Sequence, residues 1–171
     1  MGVQTALGYV HKTGNPVHRA MRALAATKPG AFFFSKTIQS IDGVVNKTTR
    51  GTTTATELLA GLPVVYVTTT GRKSGEPRRA PLIAVPIGDD LALLGTNFGG
   101  KRTPGWVYNL EADPSATISY RDATIEVHAR LASDAQADAA FAEAAKVYPG
   151  YAKYRVRAQH RTIRVFMLGK R

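Results

Sequence analysis

Four cations fall within nine residues at Gly71-Arg72-Lys73-Ser74-Gly75-Glu76-Pro77-Arg78-Arg79. Arginine presents a planar fork that suits phosphate and carboxylate, and lysine presents a compact point charge. Gly71 and Gly75 let the backbone come close to a ligand and offer its N–H groups. The segment therefore reads either as an anion clamp or as a solvated basic hairpin. Farther along, Gly95-Thr96-Asn97-Phe98-Gly99-Gly100-Lys101-Arg102 runs into Thr103-Pro104-Gly105-Trp106. A glycine-rich loop here opens on a helix N-terminus, whose free N–H donors and partial positive charge favour an anion. Its glycine spacing is that of neither a Walker loop nor a dinucleotide fingerprint. Trp106 and Asn109 share a helix face, so both could reach one site, although Trp106 would serve equally as core. A third segment, Tyr148-Pro149-Gly150-Tyr151-Ala152-Lys153-Tyr154, spaces its tyrosines by three. They form either a wall for a planar ligand, with hydroxyls at its edge, or an aromatic core corner.

Missing residue types narrow the chemistry. The 171 residues include no cysteine, which removes disulfides, thiol catalysis, cysteine-ligated zinc and iron–sulfur clusters. His11, His18, His128 and His160 do not converge on one another, so no metal site is expected. No Gly-x-Ser-x-Gly elbow occurs, which disfavours a serine hydrolase. Anion-binding loops and an aromatic wall without a reactive side chain leave the chemistry to a cofactor. Lys and Arg total 23 against 12 Asp and Glu, a formal net charge of +11. Such a field attracts nucleic acid, an anionic membrane or a polyanionic small molecule. Aromatics and cations are not interleaved along one strand face, so nucleic acid is not the expected partner. A non-enzymatic nucleic-acid or anion binder is the rival that the charge alone would support.

The elements that position these residues change character near residue 62. Before it, Asn15-Pro16 starts a helix carrying Val17, Met21 and Leu24, flanked by His18, Arg19 and Arg22. Phe34, Ile38, Ile41 and Val45 mark the apolar side of a second helix. Thr54 and Glu57 suggest a capping box. These two basic, amphipathic helices fit either the surface of a folded domain or an anionic membrane. After residue 62, strands are expected over 64–70, 78–87, 91–96, 116–120, 124–131 and 163–168. Pro81 and Pro86 give the second strand an edge or a bulge. Helices are expected from 103–104 to 112 and, capped by Ser133 and Gln136, up to 147. The longest uncharged run, 58–71, falls short of the ~18 residues of a membrane span. A soluble, cytoplasmic protein is the expectation, with peripheral membrane contact through the N-terminal helices as an option. About six mostly antiparallel strands with helices between them make an α+β fold, a partly open barrel with flanking helices.

The three segments together resemble the deazaflavin-dependent nitroreductase family. Its strand–turn–strand signature is similar to Thr68–Arg78 with Pro81-Leu82, its second motif to Asn97-Phe98-Gly99-Gly100 through Pro104, Trp106, Asn109 and Leu110, and its third to Tyr148-Pro149-Gly150-Tyr151 with Tyr154. The likeness runs from about residue 61 to the C-terminus. It departs at Asn97, where some members carry lysine, and at Ala80, where some carry asparagine. The resemblance implies a split β-barrel over 62–171, with residues 1–61 as an N-terminal helical extension. It implies coenzyme F420, an 8-hydroxy-5-deazaflavin, as reduced hydride donor to a small apolar acceptor such as an activated alkene, a quinone or a nitroaromatic. Carried over by position, Lys73 and Arg78 hold the cofactor's phosphate and acidic tail, and Arg72, Ser74, Arg79 and Pro81 are cofactor-binding beside them. Thr96, Asn97, Phe98, Gly99 and Gly100 line its ring, supported by Trp106 and Asn109. Tyr148, Tyr151 and Tyr154 face the acceptor, with Tyr148 or Tyr151 supplying the proton or steadying the developing negative charge unless water does. A flavin-mononucleotide oxidoreductase on the same barrel is the alternative within the fold.

Overall fold

The computed structural model describes residues 1–10, 27 and 62–171. The chain enters as a short helix, α1 (Val3–Leu7), and from residue 62 builds a sheet of seven strands. These are β1 (Val64–Thr70), β2 (Pro77–Ile83), β3 (Val85–Ile87), β4 (Asp90–Leu94), β5 (Ser115–Tyr120), β6 (Ala123–Leu131) and β7 (Val165–Lys170). Helix α2 (Gly105–Ala112) joins β4 to β5, while α3 (Asp134–Val147) and α4 (Gly150–Arg157) join β6 to β7. The sheet order is β2-β1-β5-β6-β7-β4-β3, and every neighbouring pair is antiparallel.

The single strand expected over 78–87 is two strands. Ala84 alone separates β2 from β3, yet these occupy opposite edges of the sheet. The sheet must therefore curl until its edges meet, giving the split half-barrel. Pro81 and Pro86 both sit on edge strands, where a missing N–H leaves no gap in a ladder. At the seam the carbonyls have no strand opposite, and tyrosine hydroxyls satisfy them. Tyr9 donates to the Ala84 carbonyl at 2.7 Å, and Tyr151 to the Ile83 carbonyl at 3.4 Å.

Two apolar cores lie on the two faces of the sheet. Val65, Val67, Leu91, Leu93, Ile118 and Phe166 belong to one, with Trp106, Val107 and Leu110 of α2. Ala92, Leu94 and Val165 belong to the other, with Phe141 and Val147 of α3 and the three tyrosines. β4 contributes alternate residues to both cores, which explains its unbroken apolar run. In α3 the capping box forms as expected: Ser133 Oγ accepts from the Gln136 N–H at 3.4 Å, and Gln136 Oε1 accepts from the Ser133 N–H at 3.1 Å.

α1 was not expected from sequence. Val3 and Leu7, one helical turn apart, are buried in the first core with Tyr9. The helix is tied to the β3–β4 turn. The Gly2 N–H and the Thr5 hydroxyl donate to the Asp89 carboxylate, and the Gln4 N–H donates to the Asp89 carbonyl at 2.8 Å. Those bonds, the Thr5 hydroxyl first, hold the Asp89 carboxyl below the usual carboxylate range. The helices expected from Asn15-Pro16, from Phe34 to Val45 and from Thr54 lie outside the described residues. Among the described residues, no helix is long and apolar enough to cross a membrane.

Tyr9→Phe should lower stability by about 1–3 kcal/mol, because the buried Ala84 carbonyl would lose its donor while the ring stayed in place. Urea unfolding should give a lower midpoint at an unchanged slope. An unmoved midpoint would mean that the seam does not depend on that hydroxyl.

Candidate active site

The basic segment forms the β1–β2 turn. The Gly71 N–H donates to the Glu76 carbonyl at 2.8 Å, and the Gly75 N–H to the Gly71 carbonyl at 2.7 Å. A Cβ at Gly71 would stand 2.7 Å from Ser74 Oγ and 3.0 Å from the Glu76 carbonyl oxygen. Gly75 has φ +70°, a left-handed backbone that glycine adopts freely. Both glycines are thus required by the turn itself. Arg72, Lys73, Arg78 and Arg79 are all exposed. Arg78 donates to Ser74 Oγ at 3.1 Å, and the Arg79 guanidinium lies 3.8 Å from the centre of the Tyr66 ring. Pro81 is half-buried lower on β2, opposite Tyr66 in the ladder.

Asn109 of α2 connects this turn to the helix that follows the glycine loop. It is 8% exposed, its Oδ1 accepts from the Arg72 N–H at 3.1 Å, and its Nδ2 donates to Thr69 Oγ1 at 3.0 Å. The Arg72 guanidinium lies 4.6 Å from the centre of the Tyr108 ring on the same helix. Trp106 does not reach this network. It is buried in the first core, 6.0 Å from Phe166 between ring centres. It takes the core place that its residue type also allowed, for an indole is the largest apolar surface on this helix.

The loop between β4 and α2 is tightly wound. Asn97, Phe98 and Gly99 have φ of +47°, +54° and +77°. Asn97 Nδ2 donates to the Arg102 carbonyl at 2.9 Å, and the Gly100 N–H to the Asn97 carbonyl at 2.8 Å. A Cβ at Gly99 would stand 2.8 Å from Arg157 Cβ, and one at Gly95 would stand 2.8 Å from Val107 Cγ2. Close packing, rather than a ligand, demands those two glycines. Thr96 is buried, and its carbonyl accepts from Arg161 Nη2 at 2.8 Å. Sequence reasoning missed Arg161. α2 begins without a side-chain cap, next to the exposed Lys101 and Arg102.

The tyrosine segment adjoins this loop. Phe98 meets Tyr154 edge-on, with ring centres 6.0 Å apart. Tyr148, Tyr151 and Tyr154 pack on one another at 5.8–6.1 Å between ring centres. They form one wall, as their spacing suggested, but an enclosed one. They are 4%, 5% and 3% exposed, and the Tyr148 and Tyr154 hydroxyls bond to each other at 3.0 Å. The enclosure leaves the three rings packed on one another rather than open to solvent. Three large rings against Phe141 and Val147 bury more surface than they would gain by facing water. Burial first, then the neighbouring Tyr154, pushes the Tyr148 and Tyr151 hydroxyls well above the ordinary tyrosine value; burial also raises Tyr154. All three therefore stay protonated and weakly acidic. Among the described residues, no group of three or more His, Asp and Glu side chains converges.

The turn is thus tied to α2 through Asn109, and the glycine loop to the tyrosine wall through Phe98 and Tyr154. The family model described as F420H(2)-dependent quinone reductase matches residues 42–170. An F420H(2)-dependent quinone reductase of Mycobacterium tuberculosis is 35% identical over 57 residues, which cover 33% of this chain and 38% of that protein. A Mycobacterium bovis protein with the same description, marked putative, matches to the same extent. This chain therefore spans well under half the length of these curated relatives in its match to them. Among solved structures, an F420-H2 dependent reductase (FDR-A) superposes with a TM-score of 0.57 at 31% identity, over 62% of this chain and 93% of that one. A second structure, described as a domain-swapped dimer, gives a TM-score of 0.59 at 30% identity over 74% and 97%.

The raised tyrosines give a pH dependence with a definite sign. Above about pH 10 the unfolded chain releases phenolic protons that the folded chain retains. Stability present below that pH should therefore be lost as pH rises through it. In wild type, tyrosinate absorbance should appear together with loss of near-ultraviolet dichroism. Tyr148→Phe should make that alkaline loss shallower. Ionisation of all seven tyrosines before any unfolding would contradict the enclosed cluster.

Proposed function

The chain belongs to the F420H(2)-dependent quinone reductase family, and from that premise we propose that it binds reduced F420 and reduces a flat, apolar quinone. The observation that carries this reading is the Asn109 network, which ties the cationic β1–β2 turn to the helix into which the glycine loop leads. The donor set suits the cofactor. Arg72, Lys73, Arg78 and Arg79 would hold its phosphate and carboxylate tail, with Lys101, Arg102 and the uncapped start of α2 close by. Thr96 to Gly100 would line its ring. When bound, the reduced cofactor supplies a hydride.

The chain's own contribution is position and environment. The two anchored loops would hold donor and acceptor in one orientation, which supplies much of the rate in a bimolecular transfer. Phe98, backed by Tyr154, offers an apolar surface against which the acceptor can lie. A quinone that gains a hydride also needs one proton to become a hydroquinone. We assign that proton to water, because the tyrosine hydroxyls are bonded inward and held protonated. An activated alkene or a nitroaromatic would fit the same apolar surface, and the family's own description favours the quinone.

The test is a titration of the whole chain with oxidised F420, followed by quenching of its one tryptophan, with flavin mononucleotide and a short oligonucleotide as comparisons. F420 should saturate and the other two should not. Lys73→Ala should weaken F420 binding about tenfold, equivalent to ~1.4 kcal/mol, with a shallower salt dependence. Turnover with reduced F420 should then be faster on a soluble quinone than on a nitroaromatic. Tighter binding of flavin mononucleotide than of F420 would overturn the reading.

A further inference from the structure

The glycine loop closes around one guanidinium. Arg161, in the segment between α4 and β7, donates from Nε to the Gly100 carbonyl at 3.2 Å, from Nη1 to the Gly95 carbonyl at 3.1 Å and from Nη2 to the Thr96 carbonyl at 2.8 Å. A guanidinium carries its donors in a rigid plane, so three acceptors fixed on it are fixed relative to one another. The anchor is itself set in place: its own N–H donates to the Ala158 carbonyl at 3.0 Å, just beyond α4.

The loop needs such an anchor. Its three successive left-handed residues include two that are not glycine, a conformation that side chains disfavour and that surrounding structure must impose. The carbonyls at both ends of that run, Thr96 before and Gly100 after, are the ones Arg161 holds. Within the loop, the Gly99 and Gly100 N–H groups turn back on the Thr96 and Asn97 carbonyls at 2.9 and 2.8 Å. Thr96 is right-handed, with φ −73° and ψ −31°, and Asn97 beside it is left-handed. That alternation gathers successive N–H groups into a concavity for an oxygen or an anion. With the carbonyls committed to Arg161, the N–H groups of Asn97 and Phe98 are the donors the loop can offer.

We infer that Arg161 is a positioning residue: it presets the left-handed glycine loop so that its backbone N–H groups meet oxygens of the cofactor's ring. The inference rests on the F420 reading above and extends it to a residue that touches no ligand itself. The arrangement separates form from charge. A lysine would keep the charge but could not hold three carbonyls in one plane.

The experiment compares the full-length wild type with Arg161→Ala and Arg161→Lys. Oxidised F420 binding is read by tryptophan quenching, and backbone amide exchange of residues 96–100 is read without any ligand. Arg161→Ala should weaken F420 binding at least tenfold and speed exchange in the loop while the sheet amides stay protected. Millimolar methylguanidinium should restore much of the binding to Arg161→Ala and leave wild type unchanged. Arg161→Lys should bind weakly despite its charge. Binding by Arg161→Lys within twofold of wild type overturns the geometric role, and this variant decides the matter should Arg161→Ala fail to fold. Failure of wild type to bind F420 overturns the functional reading and the ligand named here. Unchanged loop exchange in Arg161→Ala overturns the positioning role alone, so the two failures are told apart.

Discussion

Ala84 joins strands that lie at opposite edges of a seven-stranded sheet. One residue spans only a few ångströms, so the two edges must come together, and the curl of the sheet follows from that covalent limit. Curling creates two faces that need different cores: an inner one that α1 and Trp106 help to fill, and an outer one covered by α3 and α4. It also creates a seam where the ladder stops. Unpaired backbone carbonyls there would be costly if buried, and Tyr9 and Tyr151 reach them from opposite cores. Tyr151 is thereby committed to the seam.

The site inherits this economy of polar anchors. Its segments are not neighbours in the sheet, so no ladder can fix them to one another. Two side chains do so instead. Asn109 uses both ends of its amide to hold the turn through Thr69 and Arg72, and Arg161 uses three donors to hold the glycine loop. Amide and guanidinium are planar groups with several directional bonds each. Single-bonded alternatives would tether these segments without orienting them.

The pattern of legible and illegible features has one cause. Signals that depend on local spacing were readable: the Ser133–Gln136 box, the edge prolines and the strands at 64–70 and 124–131. The family resemblance held at the level of the F420-dependent reductases, with quinone rather than nitro compound in the family's description. Features set by distant parts of the chain were not readable. The break at Ala84 arises from barrel closure, not from any breaker residue. Arg161 binds only backbone carbonyls, which leave no trace in a sequence. The direction faced by Tyr148 and Tyr154 depends on Phe141 and Val147, which their own spacing of six does not reveal. The close neighbours of Gly95 and Gly99, Val107 and Arg157, are likewise set by distant parts of the chain.

The placement of charge says more than its total. Away from the site, three described cations meet carboxylates, Arg155 with Asp138, Arg164 with Glu111 and Lys146 with Glu143, while Arg121 and Arg157 lie over the rings of Tyr120 and Tyr154. On the β1–β2 turn the described contacts of the arginines are with a hydroxyl and with ring faces. Arg78 rests on the Ser74 hydroxyl, Arg79 on the face of Tyr66 and Arg72 on the face of Tyr108. A hydroxyl or a ring face orients a guanidinium without cancelling its charge. The turn therefore keeps its field while losing side-chain freedom, and so avoids part of the ordering cost that binding an anion would otherwise impose.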